Sequence, residues 1–292
     1  FISKLSVEYP VRRLCQTLKV HPSGYYAWLV EPKSVRAKED QRLLGLIKHA
    51  WLESGGVYGY RKIHDDLREL GESCGRHRVA RLMRVEGLRS QTGYRRRPGY
   101  YGGKPTVASP NRLERQFKVS EPNKVWVTDI TEHPTMEGKL YLCAVKDVHS
   151  NRIVGYSIDS RMKSRLAVTA IDNAVARRHA DGADVAGCIV HSDRGSQFRS
   201  RKFVSALNRH QLTGSMGRVG ACGDNAAMES FFALLQKNVL DRRDWDTRDD
   251  LRAGIITWIE RAYHRRRRQV RLGRLTPVEY ELIMDHTPAH AA

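Results

Sequence analysis

Along the first ninety residues apolar side chains recur at three- and four-residue intervals, the spacing of an amphipathic helix. In VRRLCQTLKVHPSGYYAWL the positions Val11, Leu14, Cys15 and Leu18 share one helical face, and HPSG interrupts before Tyr25, Tyr26 and Trp28, so residues 1–35 read as a short helix-turn-helix-like segment. Residues 36–92 read as a second all-helical block. It has helices over 36–51, 61–70 and 77–86, a Gly-rich connection SGGVYGY between the first two, a break at Gly71 and a stop at Gly87. From 93 to 120 the hydrophobic period disappears and Gly, Pro, Tyr and Arg dominate the first part, which reads as a basic linker.

From Lys124 the interval changes again. VWVTDI (125–130), LYLCAVKD (140–147) and RIVGYSI (152–158) are β-branched and aromatic runs separated by turn-sized gaps, MEGK and HSN among them, and predict an antiparallel three-strand meander. A helix over 163–179, a buried strand over 187–191, a helix over 201–209, a short strand over 213–216 and a helix over 225–239 follow. That alternation predicts an α/β core with a mixed sheet across 121–240. A C-terminal extension, 241–292, carries a helix over 249–263 and then a run of four arginines.

Charge sharpens this picture. The chain carries 51 Lys and Arg against 32 Asp and Glu, a formal charge of +19, and most of the excess lies in residues 1–120. A basic helical arm joined to a nearly balanced core favours a polyanionic partner, nucleic acid first, although a basic surface also serves solubility. In the helix 77–86, Val79, Leu82 and Met83 face a core while Arg78, Arg81 and Arg84 lie elsewhere; a groove-entering recognition helix and a solvated basic helix both fit. Arg95, Arg96 and Arg97 in the linker suit a phosphate backbone, and a plain tether fits equally. Arg265, Arg266, Arg267 and Arg268 read either as a phosphate clamp or as cations favoured at a helix C-terminus. Five scattered cysteines without a CxxC spacing indicate neither a zinc site nor a disulfide framework. No apolar run reaches the ~20 residues of a membrane span, and the expected location is the cytoplasm, on the nucleoid.

Three acids stand out, the first of them in a strand, where aspartate is depleted. Asp129 lies inside the strand VWVTDIT, Asp193 follows the buried strand in HSDRGSQF, and Glu229 lies on the helix GDNAAMESFFALLQKNVL. Taken singly, an Asp at a strand end is usually a cap or turn former and a Glu on a helix is usually solvated. Brought together, three carboxylates repel unless a cation lies between them, and hard oxygen ligands suit Mg²⁺ or Mn²⁺. Gly195 would let the backbone turn closely there, while Ser196, Gln197 and the neighbouring Arg194 offer donors to DNA.

VWVTDIT, HSDRGSQF and GDNAAMESFFALLQK, at these separations, resemble the three signature blocks of DDE transposases of the insertion-sequence-three family, relatives of retroviral integrases. The blocks SGGVYGYRKIHDDL and GRHRVARLMRVEGL resemble that family's helix-turn-helix region, and LCQTLKVHPSGYYAW resembles the start of its second reading frame. The tail resembles the closing motif: Tyr263, Arg267, Leu272, Gly273 and Pro277 match, while His264 and Gln269 replace the usual Asn and His. Where the family carries Lys or Arg seven residues after the catalytic Glu, this chain has Gln236, with Lys237 next to it.

The resemblance implies a ribonuclease-H-like, retroviral-integrase-type mixed-sheet core behind helical DNA-binding segments. It makes Asp129, Asp193 and Glu229 both the catalytic residues and the ligands of two Mg²⁺ ions, with Mn²⁺ able to substitute. The implied chemistry is hydrolysis that frees a 3′ hydroxyl at an element end, then attack of that hydroxyl on a second phosphodiester. The implied partners are double-stranded DNA, namely terminal repeats and target, further copies of the chain on paired ends, and an upstream-frame DNA-binding protein; the chain begins at Phe1 rather than Met. Two rival classes are a recombinase using Tyr263 as nucleophile beside its arginines, and a non-catalytic DNA-binding regulator. The first predicts a covalent adduct and activity in chelator, the second binding without cleavage.

Overall fold

The computed structural model describes residues 1–91, 119–217 and 226–286. Most of the expected linker, with Arg95, Arg96 and Arg97, lies outside the described residues. The chain divides into two compact units, Phe1–Thr92 and Gly93–Ala292.

The first unit is all helical: α1 (Ile2–Leu5), α2 (Val11–Thr17), α3 (Pro22–Val30), α4 (Val35–Glu53), α5 (Tyr60–Glu69) and α6 (Arg76–Val85). α3 starts with Pro22 in the first turn, where a missing N–H costs nothing, and His21 Nδ1 accepts from the Ser23 N–H. α4 starts at Ser34, whose hydroxyl accepts from the Ala37 N–H at 3.2 Å. Leu43 and Ile47 of α4, Ile63 and Leu67 of α5, and Val79, Leu82 and Met83 of α6 close one core, the last three on the face that their spacing predicted.

The second unit is built on a five-stranded sheet of order β3-β2-β1-β4-β5. Its elements run β1 (Val125–Thr135), β2 (Gly138–Asp147), β3 (Ile153–Asp159), α7 (Ser164–Ala180), β4 (Ile189–Ser192), α8 (Arg201–Arg209), β5 (Thr213–Met216), α9 (Ala226–Asn238), α10 (Arg248–Thr257) and α11 (Pro277–His286). β1, β2 and β3 form the antiparallel meander, and β4 and β5 join in parallel, so the sheet is mixed. β1 runs past the expected residue 130 to Thr135 and includes Pro134. Since β4 accompanies β1 only over Val125–Val127, the outer half of β1 is paired only to β2, and a residue without an N–H is tolerated there.

Side chains alternate across the sheet, and each face has its own cover. Trp126, Val145, Val154 and Val190 pack under α7 and α8, against Leu166, Ala170, Ile171, Phe203 and Leu207. Val125, Val127, Leu142 and Ala144 pack on the opposite face against α9 and α10, through Met228, Phe231, Leu235, Leu251 and Ile255. α7 approaches β3 so closely that a Cβ at Gly155 would lie 2.4 Å from the Ala170 carbonyl oxygen and 2.5 Å from the Ala174 nitrogen.

The helix expected over 249–263 is helical throughout but changes type: α10 ends at Thr257 and Trp258–Tyr263 is a π-helical turn, with the His264 N–H donating to Ile259 O five residues back. The widened turn leaves the consecutive residues Tyr263 and His264 both buried. Tyr263 donates its hydroxyl to Asn151 O at 2.9 Å, and His264 Nε2 accepts from the Ile153 N–H at 3.1 Å. Among the described residues no helix is long and apolar enough to cross a membrane.

Candidate active site

Two of the predicted acids are brought together by strand register. β1 and β4 pair in parallel through Val125 with Ile189, Trp126 with Val190 and Val127 with His191. Two residues beyond the last pair come Asp129, in the interior of β1, and Asp193, just past the C-terminal end of β4, the kind of position where open α/β sheets place their ligands. Asp129 has the parity of Val125 and Val127 and therefore lies on the face covered by α9, the helix that carries Glu229. Neighbouring strands are roughly 4.8 Å apart, so continuation of the register brings the backbones of the two residues to about one strand spacing.

Burial, then the Asp193 charge and lastly that of Glu229 push the Asp129 carboxyl up to about 7; the Ile130 N–H, donating at 2.7 Å, opposes them only in part. Asp193 and Glu229 are exposed. Asp193 is oriented by the Gly195 N–H, which donates to Oδ1 at 2.9 Å. A Cβ on Gly195 would lie 3.0 Å from that same Oδ1 and 2.9 Å from Gln197 Oε1. Gly195 thus provides the room in which the Asp193 carboxylate sits, a more local part than the close approach to ions or DNA expected of it.

Glu229 occupies the first turn of α9, one residue after Met228, which is sealed into the core. Sequence reasoning passed over the residue that ties this turn to the sheet. Lys146 of β2 pairs in register with Val127, lies 5% exposed, and donates its Nζ to Ala227 O at 3.1 Å. Burial first, and Arg271 second, pull its ammonium down to about 7. The signal was available: in LYLCAVKD the lysine has the parity of the buried Leu142 and Ala144.

Asp129, Asp193 and Glu229 are hard oxygen donors, and the raised Asp129 carboxyl registers a negative field that a divalent cation would relieve. In donor chemistry the three fit Mg²⁺. Among the described residues, however, no three carboxylate, imidazole or thiolate side chains are already gathered as a metal-ligating group.

The remaining predicted contacts divide sharply. Arg194 Nε donates to Gly217 O at 2.8 Å and bonds the β4 loop to the end of β5. Gln236 donates to the Asp241 carboxylate, while Lys237 is exposed. In the helical unit Arg78 and Arg81 both bind Asp40, at 2.7 and 2.5 Å, and Arg84 is exposed. Arg265 and Arg266 are exposed and Arg267 and Arg268 half-buried, just past the π-helical turn. Tyr263 is 1% exposed and burial raises its phenol, so it cannot meet a phosphodiester as a nucleophile. The tyrosine-recombinase reading fails on that burial.

The mixed sheet with one acid inside its central strand and another just past the neighbouring parallel strand, covered by helices on both faces, defines a ribonuclease-H-like integrase core. Residues 119–222 and 210–277 each match an integrase core domain family, and residues 38–98 match an HTH-like domain family. The transposase InsF for insertion sequence IS3A of Escherichia coli (strain K12) is 34% identical over 283 residues, covering 96% of this chain and 97% of that protein. The insertion element IS600 uncharacterized 31 kDa protein of Shigella sonnei is 36% identical over 267 residues, covering 91% of this chain and 97% of its own length. Among solved structures, the HTLV-2 integrase catalytic core domain in complex with magnesium has a TM-score of 0.41 at 16% identity over 55% of this chain and 96% of that one. The chain belongs to the IS3 family of integrase-core transposases.

Proposed function

We propose that Asp129, Asp193 and Glu229 are the catalytic, metal-binding residues with which this transposase cuts and joins DNA at the ends of its element. The observation that carries the reading is the register of β1 and β4, which brings Asp129 beside Asp193, with the Asp129 carboxyl raised by burial first and then by Asp193 and Glu229. Two Mg²⁺ ions, for which Mn²⁺ substitutes, would supply charge neutralisation and an activated water or sugar hydroxyl when bound. Asp129, Asp193 and Glu229 would hold the ions as carboxylates, with Asp193 oriented by the Gly195 N–H and Glu229 carried on the first turn of α9, which Lys146 ties to the sheet. The reaction is phosphodiester hydrolysis that frees a 3′ hydroxyl, followed by in-line attack of that hydroxyl on a second phosphodiester.

Terminal repeats are held by the helical block 36–92, with the exposed Arg84 in place of the Asp40-bound Arg78 and Arg81, and by the arginines at 265–268 and Lys237. Copies of the chain act on paired ends, with an upstream-frame protein as a further DNA-binding partner. The test is a supercoiled plasmid carrying the element ends, incubated with Mg²⁺ or with chelator. Cleavage in Mg²⁺ alone, abolished by Asp193→Asn, is the expected result. Sequence-specific binding without any cleavage would make the chain a regulator and sink the reading.

A further inference from the structure

A basic cleft on the second unit has no part in the chemistry above. It opens between α7 and α8, has a volume of about 500 Å³, and is lined by Arg165 and Val168 of α7 and by Arg201, Lys202, Ser205 and Arg209 of α8. Two carboxylates offset part of its charge: Asp159 binds Arg165 at 3.0 Å and Asp172 binds Arg209 at 2.6 Å. Both of those arginines remain largely exposed in their pairs, and Arg201 and Lys202 are exposed as well. Arg201 and Lys202 occupy the first turn of α8, where cations oppose the helix dipole, so helix stability does not account for them.

Topology directs this cleft toward the acids. β3 and β4 both run parallel to β1, since β3 is antiparallel to β2 and β2 to β1. α7 follows β3 and α8 follows β4, so both helices begin at the end of the sheet that bears Asp129 and Asp193. They cover the face opposite α9, and Arg201 lies only eight residues beyond Asp193. From Arg201 to Arg209 the cleft follows α8 for about 12 Å, the rise of roughly three to four nucleotides along one strand.

We propose that this cleft is a second DNA-binding track, which grips the sugar-phosphate backbone of a duplex as it reaches the sheet end from the α7 and α8 side. The proposal rests on the transposase reading, and it adds residues that the acidic triad and the helical unit do not include. The duplex is either the element end or the target, and the experiment separates them.

The full-length protein is compared with Arg201→Ala/Lys202→Ala and with a control, Lys124→Ala/Arg252→Ala, which removes the exposed Lys124 just before β1 and the half-buried Arg252 of α10. Affinity for duplex DNA is measured across a salt series. Losing two phosphate contacts lowers the slope of log affinity against log salt by about 1.8, while the control and the charge-conserving Arg201→Lys/Lys202→Arg keep the wild-type slope. Two further arms follow cleavage of an element end and joining of a pre-cut end to a target plasmid. A tenfold or greater loss of joining with cleavage intact assigns the track to target DNA, and a loss that begins at cleavage assigns it to the element end. An unchanged slope, a control that falls as far, or a reduced slope with both reactions intact overturns the proposal. If the wild-type protein shows no Mg²⁺-dependent cleavage, the catalytic reading fails while the salt series still decides the cleft.

Discussion

Asp129, Gly195 and Gly155 each place a different demand on side-chain identity in the second unit. The Asp129 carboxyl stands near 7 because burial, Asp193 and Glu229 all disfavour its charge, in that order of burial, Asp193 and then Glu229. Replacing Asp193 by Asn removes the larger of the two charges, so a carboxyl titration of Asp129 followed by NMR is expected to move down while staying above the ordinary range, burial being retained. At Gly195 a methyl group would press on Asp193 Oδ1 and Gln197 Oε1, both ends of side chains that can shift. Gly195→Ala is therefore expected to leave the melting temperature nearly unchanged and to slow cleavage by about tenfold or more, because a displaced ligand is costly to a preset geometry. Gly155→Ala has the opposite signature. Its Cβ would meet the backbone of α7 at Ala170 and Ala174, which cannot rotate away, and the helix must lift from β3. A loss of about 3 kcal/mol or more in chemical denaturation is the expected outcome.

At the scale of elements, the C-terminal segment holds the hairpin end of the sheet through groups distant in sequence. Glu281 of α11 accepts from Ser150 Oγ at 2.6 Å and from Arg152 at 2.7 Å, and binds Arg178 of α7, which also binds Asp147. Arg178 is 4% exposed, so Glu281→Ala leaves a buried guanidinium with half its counter-charge, and thermal unfolding should report a loss of about 3–5 kcal/mol. Tyr263→Phe removes one hydrogen bond, to Asn151 O, for about 1 kcal/mol, and cleavage is expected to persist. A variant inactive yet fully folded would revive a nucleophilic tyrosine.

The legible and illegible parts of the molecule divide on the same physics. β-branched and aromatic runs bounded by turn-sized gaps marked β1, β2 and β3 because both faces of the sheet are covered, and the strand interior made Asp129 conspicuous. The π-helical turn at Trp258–Tyr263 left no trace in spacing, since the helical run over 249–263 reads the same whether one residue is added to a turn or not. Arg78 and Arg81 read as free cations because Asp40, their partner, lies a whole helix away in α4. Partners chosen by tertiary packing, at separations of tens of residues, carry no local period.

For the molecule as a whole, the acids at the sheet end should appear in the pH dependence of stability. Between about 4 and 7 the folded protein keeps the Asp129 proton that the unfolded chain has lost, so stability falls as pH rises, by at most about 1.4 kcal/mol per unit. His264 works the other way: burial lowers its pKa, and over the window below 6.5 the unfolded chain binds the extra proton, so this contribution rises with pH. Glu281, held at about 2 by Arg178 and its other donors against its burial, completes its stabilisation by about 4.5 and is flat above. The penalty on Lys146 is relieved only as pH climbs from about 7 toward 10.5. In the difference between urea unfolding of the metal-free wild type and of Asp129→Asn at each pH, groups remote from Asp129 cancel, which leaves Asp129 with its coupling to Asp193 and Glu229. That difference is expected to decline by about 1 kcal/mol per unit from pH 5 to 7. Saturating Mg²⁺ should remove the decline, since a metal-bound Asp129 is ionised in the folded state across the whole window. A flat difference without metal would mean that Asp129 ionises as an ordinary carboxyl, and that Asp193 and Glu229 exert no field on it.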